Sequence, residues 1–282
     1  MSAIDVTEAP AADAPAGGRA PRARGRLGDR LLFGYVWLIL AWLFLPIVIM
    51  IVFGFNDTQS KSNVTWQGFT LQWWGRLDEY PQLLEAVTNS LKIAVLSTVI
   101  TTVLGTLMGL ALGRYRFRGQ GATNLVMFAA IASPELVMGA SLLSLFVSLG
   151  VQTGFATVVV AHVLFSLSFV AITVRARVIG LDRSIEEAAR DLGASTWTTF
   201  RLVTFPMILP GVVSGALLAF ALSIDDFVIT QFTSGAVQTF PLWIWGATRI
   251  GVPPQVNVIG TLIFAVGVAI AVVNTVTARR RT

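Results

Sequence analysis

Leu31-Leu-Phe-Gly-Tyr-Val-Trp-Leu-Ile-Leu-Ala-Trp-Leu-Phe-Leu-Pro-Ile-Val-Ile-Met-Ile-Val-Phe-Gly-Phe55 runs for 25 residues without one charged side chain. A helix needs about 20 mostly apolar residues to cross a bilayer core, so this run is long enough to span a membrane. Five further stretches qualify on the same ground, at about 88–113, 122–147, 153–174, 207–232 and 256–278. The rest of the composition agrees: of 282 residues, 55% are hydrophobic and 12% charged, with a mean hydropathy of +0.74. Soluble domains carry about 25% charged residues, so a soluble globular enzyme is excluded. The expected fold class is an all-α membrane protein with six transmembrane helices.

The charges lie in the connections, and their sign sets the orientation. Arginines crowd the segment before the first run, the second connection (Arg114, Arg116, Arg118), the fourth (Arg175, Arg177, Arg183, Arg190, Arg201) and the C-terminus (Arg279, Arg280, Arg281). The alternate connections, 56–87, 148–152 and 233–255, hold only Lys61, Arg76 and Arg249. Cytoplasmic loops are enriched in Lys and Arg, so both termini are expected in the cytoplasm. The net charge of +5 is thus a topology signal rather than a nucleic-acid surface.

Residues 1–28 are rich in Ala, Pro, Gly and Arg and are read as a disordered cytoplasmic tail. Arg19, Arg22, Arg24 and Arg26 ahead of an apolar run also fit a signal peptide. A signal-peptide core holds about 7–15 apolar residues, however, and the longer run here favours a retained span. Residues 29–282 then form one six-span domain that includes a cytoplasmic loop, 176–206. Trp66, Trp73 and Trp74 in the 56–87 connection point to an amphipathic element at the outer interface, where indole rings prefer to sit. Gly105, Gly109 and Gly113 recur every fourth residue, a spacing that lets another helix backbone come close.

Metal and nucleophile chemistry finds little support. There is no cysteine, and His162 is the single histidine, so neither a thiolate site nor a multi-histidine metal centre can form. No H-E-x-x-H motif or Ser/His pair argues for an intramembrane enzyme, and no catalytic residue, metal or cofactor is expected. His162, near the middle of the fourth span, reads as a hydrogen-bonded core histidine rather than a proton relay.

The fourth connection holds Ser184-Ile-Glu-Glu-Ala-Ala-Arg-Asp-Leu-Gly193, then Ala-Ser-Thr-Trp-Thr-Thr-Phe-Arg-Leu-Val-Thr-Phe-Pro206. Ser184 and Glu187 have capping-box spacing and Gly193 is a left-handed stop, which predicts a helix of about eight residues. Ile185, Ala188, Ala189 and Leu192 share one face, Glu186, Arg190 and Asp191 point elsewhere, and Trp197 and Phe200 extend the apolar surface. Such a helix either docks a soluble partner or lies on the membrane.

Glu187-Ala188-Ala189, Gly193 and Val203-Thr204-Phe205-Pro206 resemble the EAA signature of ABC importer permeases: E-A-A, three residues, G, nine residues, I, any residue, L-P. Both spacings hold, with Val203 for Ile and Phe205 for Leu. The resemblance implies a type I importer permease fold, and a helix that docks in a groove of a cytoplasmic ATPase dimer through Glu187, Ala188, Ala189, Gly193 and Pro206. The chain has no phosphate loop of its own: its two lysines, Lys61 and Lys92, do not follow a glycine.

Three carboxylates fall inside the spans: Glu135, Asp225 and Asp226. Such residues usually face a water-filled path or a partner. No arginine shares their depth, and Lys92, at the outer start of the second span, pairs with one of them at most. An excess of buried negative charge is unfavourable until a cation arrives, so a cationic substrate fits. Neighbours on a helix point about 100° apart; Asp225 and Asp226 therefore divide the work, one lining the path while the other pairs or caps. A hydrogen-bonded helix break at the two Asp, and a packing role for Glu135 beside Pro134, are the structural alternatives.

The runs Leu222–Thr230, Ser133–Gly139, Gly251–Asn257 and Phe69–Trp74 resemble polyamine permeases, in particular the second of the two permease subunits of spermidine/putrescine importers. That resemblance covers most of 30–282. It implies a multi-pass protein of the bacterial inner membrane, paired with a second homologous permease, an ATPase dimer and an extracytoplasmic binding protein. It also implies a substrate path with Asp225, Asp226, Glu135 and Trp74. An importer of another cationic or small organic solute would share the loop, and an ion-coupled secondary transporter is the reading from a different class.

Overall fold

The computed structural model describes residues 26–60 and 62–279. The expected tail falls outside them except for Arg26–Gly28, which are already helical. The helices are α1 (Arg26–Phe53), α2 (Pro81–Arg114), α3 (Gln120–Ala132), α4 (Glu135–Ser148), α5 (Phe155–Ile179), α6 (Ser184–Asp191), α7 (Thr196–Thr199), α8 (Phe205–Ile224), α9 (Val228–Thr233), α10 (Phe240–Ala247) and α11 (Pro254–Arg279). An antiparallel bridge pairs Asn56 with Phe69. The chain divides into two compact units, residues 1–50 and 51–282. In the first, α1 is apolar around its whole circumference from Leu31 on, with Phe33 and Trp37 edge to face one turn apart.

The second unit is built on α2, α5 and α8. A Cβ on Gly105 would lie 2.7 Å from Val170 Cγ1, and one on Gly109 2.7 Å from the Ala171 carbonyl oxygen. Gly113 meets Val178 in the same way, so the two helices run parallel along the glycine stripe. α8 closes the triangle in the opposite direction, Gly211 on Arg177 and Gly215 on Val170. The buried core between them is Val170, Val174, Val178, Ile208, Val212 and Ala219. In lipid, helices associate by close packing rather than by the hydrophobic effect, and the stripe supplies the closeness. Gly109→Val drives a side chain into backbone, which cannot rotate away. It is expected to destabilise the folded protein by about 1–3 kcal/mol, read as a lower unfolding midpoint in detergent. Gly121→Val, in open space, serves as the control.

Five helices are long and apolar enough to cross a membrane, and the bent pair α3 and α4 supplies a sixth span if the two count as one. The span expected over 122–147 is this bent pair, broken at Ser133-Pro134 with a turn of 109°. Proline disfavours helical backbone at the residue before it, and Ser133 is extended (ψ 132°). The fifth expected span, 207–232, is also interrupted. α8 stops at Ile224 and α9 restarts at Val228, leaving both aspartates in the gap.

The 56–87 connection is a loop with two single 3₁₀ turns, Gln72–Gly75 and Leu77–Glu79, followed by the first turns of α2. Fully buried Asn56 organises it, donating to Asn63 Oδ1 and the Thr65 carbonyl at 2.7 Å each and accepting from the Gln67 N–H at 2.7 Å. The Trp73 indole N–H donates to the Asn56 carbonyl (2.7 Å). Around α6 the expected capping box is also absent: Asp182 Oδ1 accepts from the Ser184 N–H (2.9 Å), and that bond holds its carboxyl below the usual range. Gly193 does end the helix, at φ +85°, with Ala194 N–H bonded to the Ala189 carbonyl and Gly193 N–H to that of Arg190.

Candidate functional site

The gap between α8 and α9 separates the roles of its two aspartates. Asp226 turns inward, its side chain 3% exposed. Oδ2 accepts from the Thr230 N–H (2.8 Å) and the Thr230 hydroxyl (2.6 Å), and Oδ1 from the Ile229 N–H (3.4 Å). The carboxylate thus caps the free N–H groups that open α9, where negative charge is favoured. His162 of α5 completes it: Nε2 lies 2.9 Å from Thr230 Oγ1 and 3.2 Å from Asp226 Oδ2, and Nδ1 lies 2.7 Å from Ser223 Oγ. Because the Thr230 hydroxyl proton goes to Asp226, Nε2 must carry the imidazole proton on that side. Ser223 reaches on to Ser97 of α2 (3.1 Å), so one polar chain ties four helices together.

Asp225 turns the other way and is exposed. With Glu135, in the first turn of α4, it lines a cavity of about 210 Å³ closed by Phe165, Leu222, Phe227 and Val228, with Asp226 in its wall. Asp225 also borders a second cavity of about 350 Å³ whose other walls are apolar: Ile224, Phe240, Pro241, Ile244, Gly260 and Ile263. Among the described residues neither Asp225 nor Glu135 makes an ion pair; Lys92 is exposed and bridges neither. The arrangement offers two carboxylates to a cation beside room for an alkyl segment.

Trp74 lies apart from both cavities. Its indole N–H donates to the Gly54 carbonyl (3.1 Å) and its ring packs on Phe55, centroids 5.0 Å apart. His162 is a hydrogen-bonded core residue, as its isolation in the sequence implied.

At one end of the bundle, α6 has no buried residue. Glu187, Ala188, Gly193 and Pro206 are exposed, and Ala189 is half-buried. Beside them Leu192 is 89% and Trp197 68% exposed, with Trp197 stacked on Phe200. Glu186, which helix periodicity turned away from this face, instead meets Arg114 and Thr204. No local pattern marked that contact, because its partners lie on other helices.

The family model for the binding-protein-dependent transport system inner membrane component matches residues 102–279. The spermidine/putrescine transport system permease protein PotC of Escherichia coli (strain K12) is similar to this chain, 39% identical over 91% of it and 97% of the relative. So is the putrescine transport system permease protein PotI of the same strain, 39% identical over 84% of this chain and 85% of the relative. Among solved structures, a bacterial ABC transporter involved in the import of the acidic polysaccharide alginate aligns with a TM-score of 0.65. That alignment has 16% identity over 94% of this chain and 100% of the other.

Proposed function

This chain belongs to the binding-protein-dependent transport inner-membrane component family, and from that membership we propose that it is the permease subunit of an ATP-driven importer of polyamines. It is a multi-pass inner-membrane protein with the all-α fold of ABC importer permeases. In the proposed assembly an extracytoplasmic binding protein hands substrate to this chain and a second, homologous permease. A separate ATPase dimer docks on α6 from the cytoplasm, where both termini lie, and contacts Glu187, Ala188, Ala189, Gly193 and Pro206. ATP is hydrolysed on that partner and not here.

The observation that carries the substrate class is the cavity shared by Glu135 and Asp225. Two carboxylates facing one space repel each other until a cation lies between them, and an ammonium group donates hydrogen bonds to both. The adjoining apolar cavity supports a linear cation with a hydrocarbon segment over a compact metal ion. Asp226 acts from behind, holding the α8–α9 break that aims Asp225. Trp74 belongs to the outer loop that frames the entry to the path.

Uptake of labelled spermidine into proteoliposomes holding the complete complex and its binding protein tests this reading. The expected result is saturable uptake that requires ATP. Uptake driven by an ion gradient without ATP would point to a secondary transporter. ATPase stimulation by an unrelated solute, with no polyamine imported, would retain the permease and overturn the substrate.

A further inference from the structure

The face of α6 is exposed, yet the helix must be held by something, since eight residues are too few to be helical alone in water. Its anchor is the side chain of Glu186. Oε1 accepts from Arg114 Nη2 at 2.6 Å and from the Thr204 hydroxyl at 2.7 Å. The Arg114 and Glu186 side chains are 11% and 14% exposed, so water screens this pair far less than a surface pair. Arg183 Nη2 adds a second tie to the Arg114 carbonyl (3.0 Å).

The partners of Glu186 stand where force would have to enter the bundle. Arg114 is the last residue of α2, a position where the unpaired carbonyls of a helix favour a cation. Thr204 is the last residue of a π-helical turn, Phe200–Thr204, that runs directly into α8. α2 and α8 meet again through Ser97 and Ser223, next to the gap that carries Asp225. From Arg114 to Ser97 the helix spans about 25 Å at about 1.5 Å per residue. One carboxylate thus ties α6 to α2 and to the turn that leads into α8, the helix whose Leu222 lines the carboxylate cavity.

We infer that Glu186, through Arg114 and Thr204, is the joint that converts displacement of α6 into movement of α2 and α8. It is a positioning residue, distinct from the exposed Glu187. The inference rests on the reading that α6 docks on an ATPase. A charge-assisted bond shared by two donors resists both sliding and rotation, which a single apolar contact does not.

The test uses the assembled complex in proteoliposomes, with Arg114→Gln and Thr204→Val. With either substitution the ATPase should copurify in the wild-type amount. Arg114→Gln should lower transport per ATP hydrolysed by about tenfold while hydrolysis stays within about twofold of wild type. Thr204→Val should have a smaller effect in the same direction. The exchange Arg114→Glu with Glu186→Arg should recover transport relative to Arg114→Glu alone. Uptake and hydrolysis falling in proportion, or uptake unchanged by Arg114→Gln, would overturn the inference. A wild-type chain that retains no ATPase would overturn the docking reading instead.

Discussion

Asparagine at position 225 is expected to cut ATP-dependent polyamine uptake by about 10- to 100-fold, with assembly and thermal stability unchanged. The substitution keeps the shape of the side chain and removes the charge. Contacts to charged groups in sites sheltered from water are worth about 1.5–3 kcal/mol, and each 1.4 kcal/mol is a factor of about ten. Asp225 is exposed to its cavity and holds no ion pair among the described residues, so the folded state does not rely on that charge. Glu135→Gln should act in the same direction. Initial uptake rates over a spermidine concentration series decide the matter, alongside the unfolding midpoint of each variant. Wild-type uptake by Asp225→Asn would remove the carboxylate from the path.

The opposite pattern is expected when His162 becomes alanine. Asp226, Thr230 and Ser223 would each lose a partner in a region almost closed to water, leaving a buried carboxylate with less compensation. Leaving a buried polar group without its hydrogen-bond partner costs about 1–3 kcal/mol. That corresponds to a fall of about 5 °C in the unfolding midpoint for a chain of this size. His162→Gln, which retains an N–H donor, should recover part of it. The measurement is thermal unfolding of the purified chain in detergent, and an unchanged midpoint would refute the role assigned to the network. Asp225→Asn with normal stability and poor uptake, set against His162→Ala with poor stability, would mark Asp225 as the carboxylate proposed to meet substrate and Asp226 as the one that supports the break.

Much of the membrane frame is a local property and could be read along the chain. A spanning helix satisfies its backbone hydrogen bonds within itself, so length and apolarity suffice to find α1, α2, α5 and α11. The Gly105, Gly109 and Gly113 stripe forecast a close helix contact, and Gly193 forecast the end of α6, because glycine permits what a Cβ forbids. The spacing of Glu187, Gly193 and Pro206 was enough to place the family. The 100° offset of helix neighbours assigned Asp225 and Asp226 different tasks, although both lie in the break between α8 and α9 rather than on a helix.

Which aspartate took which task was decided by His162, more than sixty positions away in sequence, and by the rotation of α5 against α8 and α9. The same holds for Glu186, whose partners Arg114 and Thr204 lie on separate elements. Pro134 announced a break, but the 109° angle accompanies the packing of α3 on α5 and of α4 on α9. The loop around Asn56 had no local signal beyond its tryptophans, because its order comes from side-chain amides bonded across the loop rather than from a repeating face. Backbone hydrogen bonding and hydrophobic length act between near neighbours and are written in the sequence. Pairings between side chains on different helices depend on the register and rotation of the helices, and these exist only once the bundle has packed.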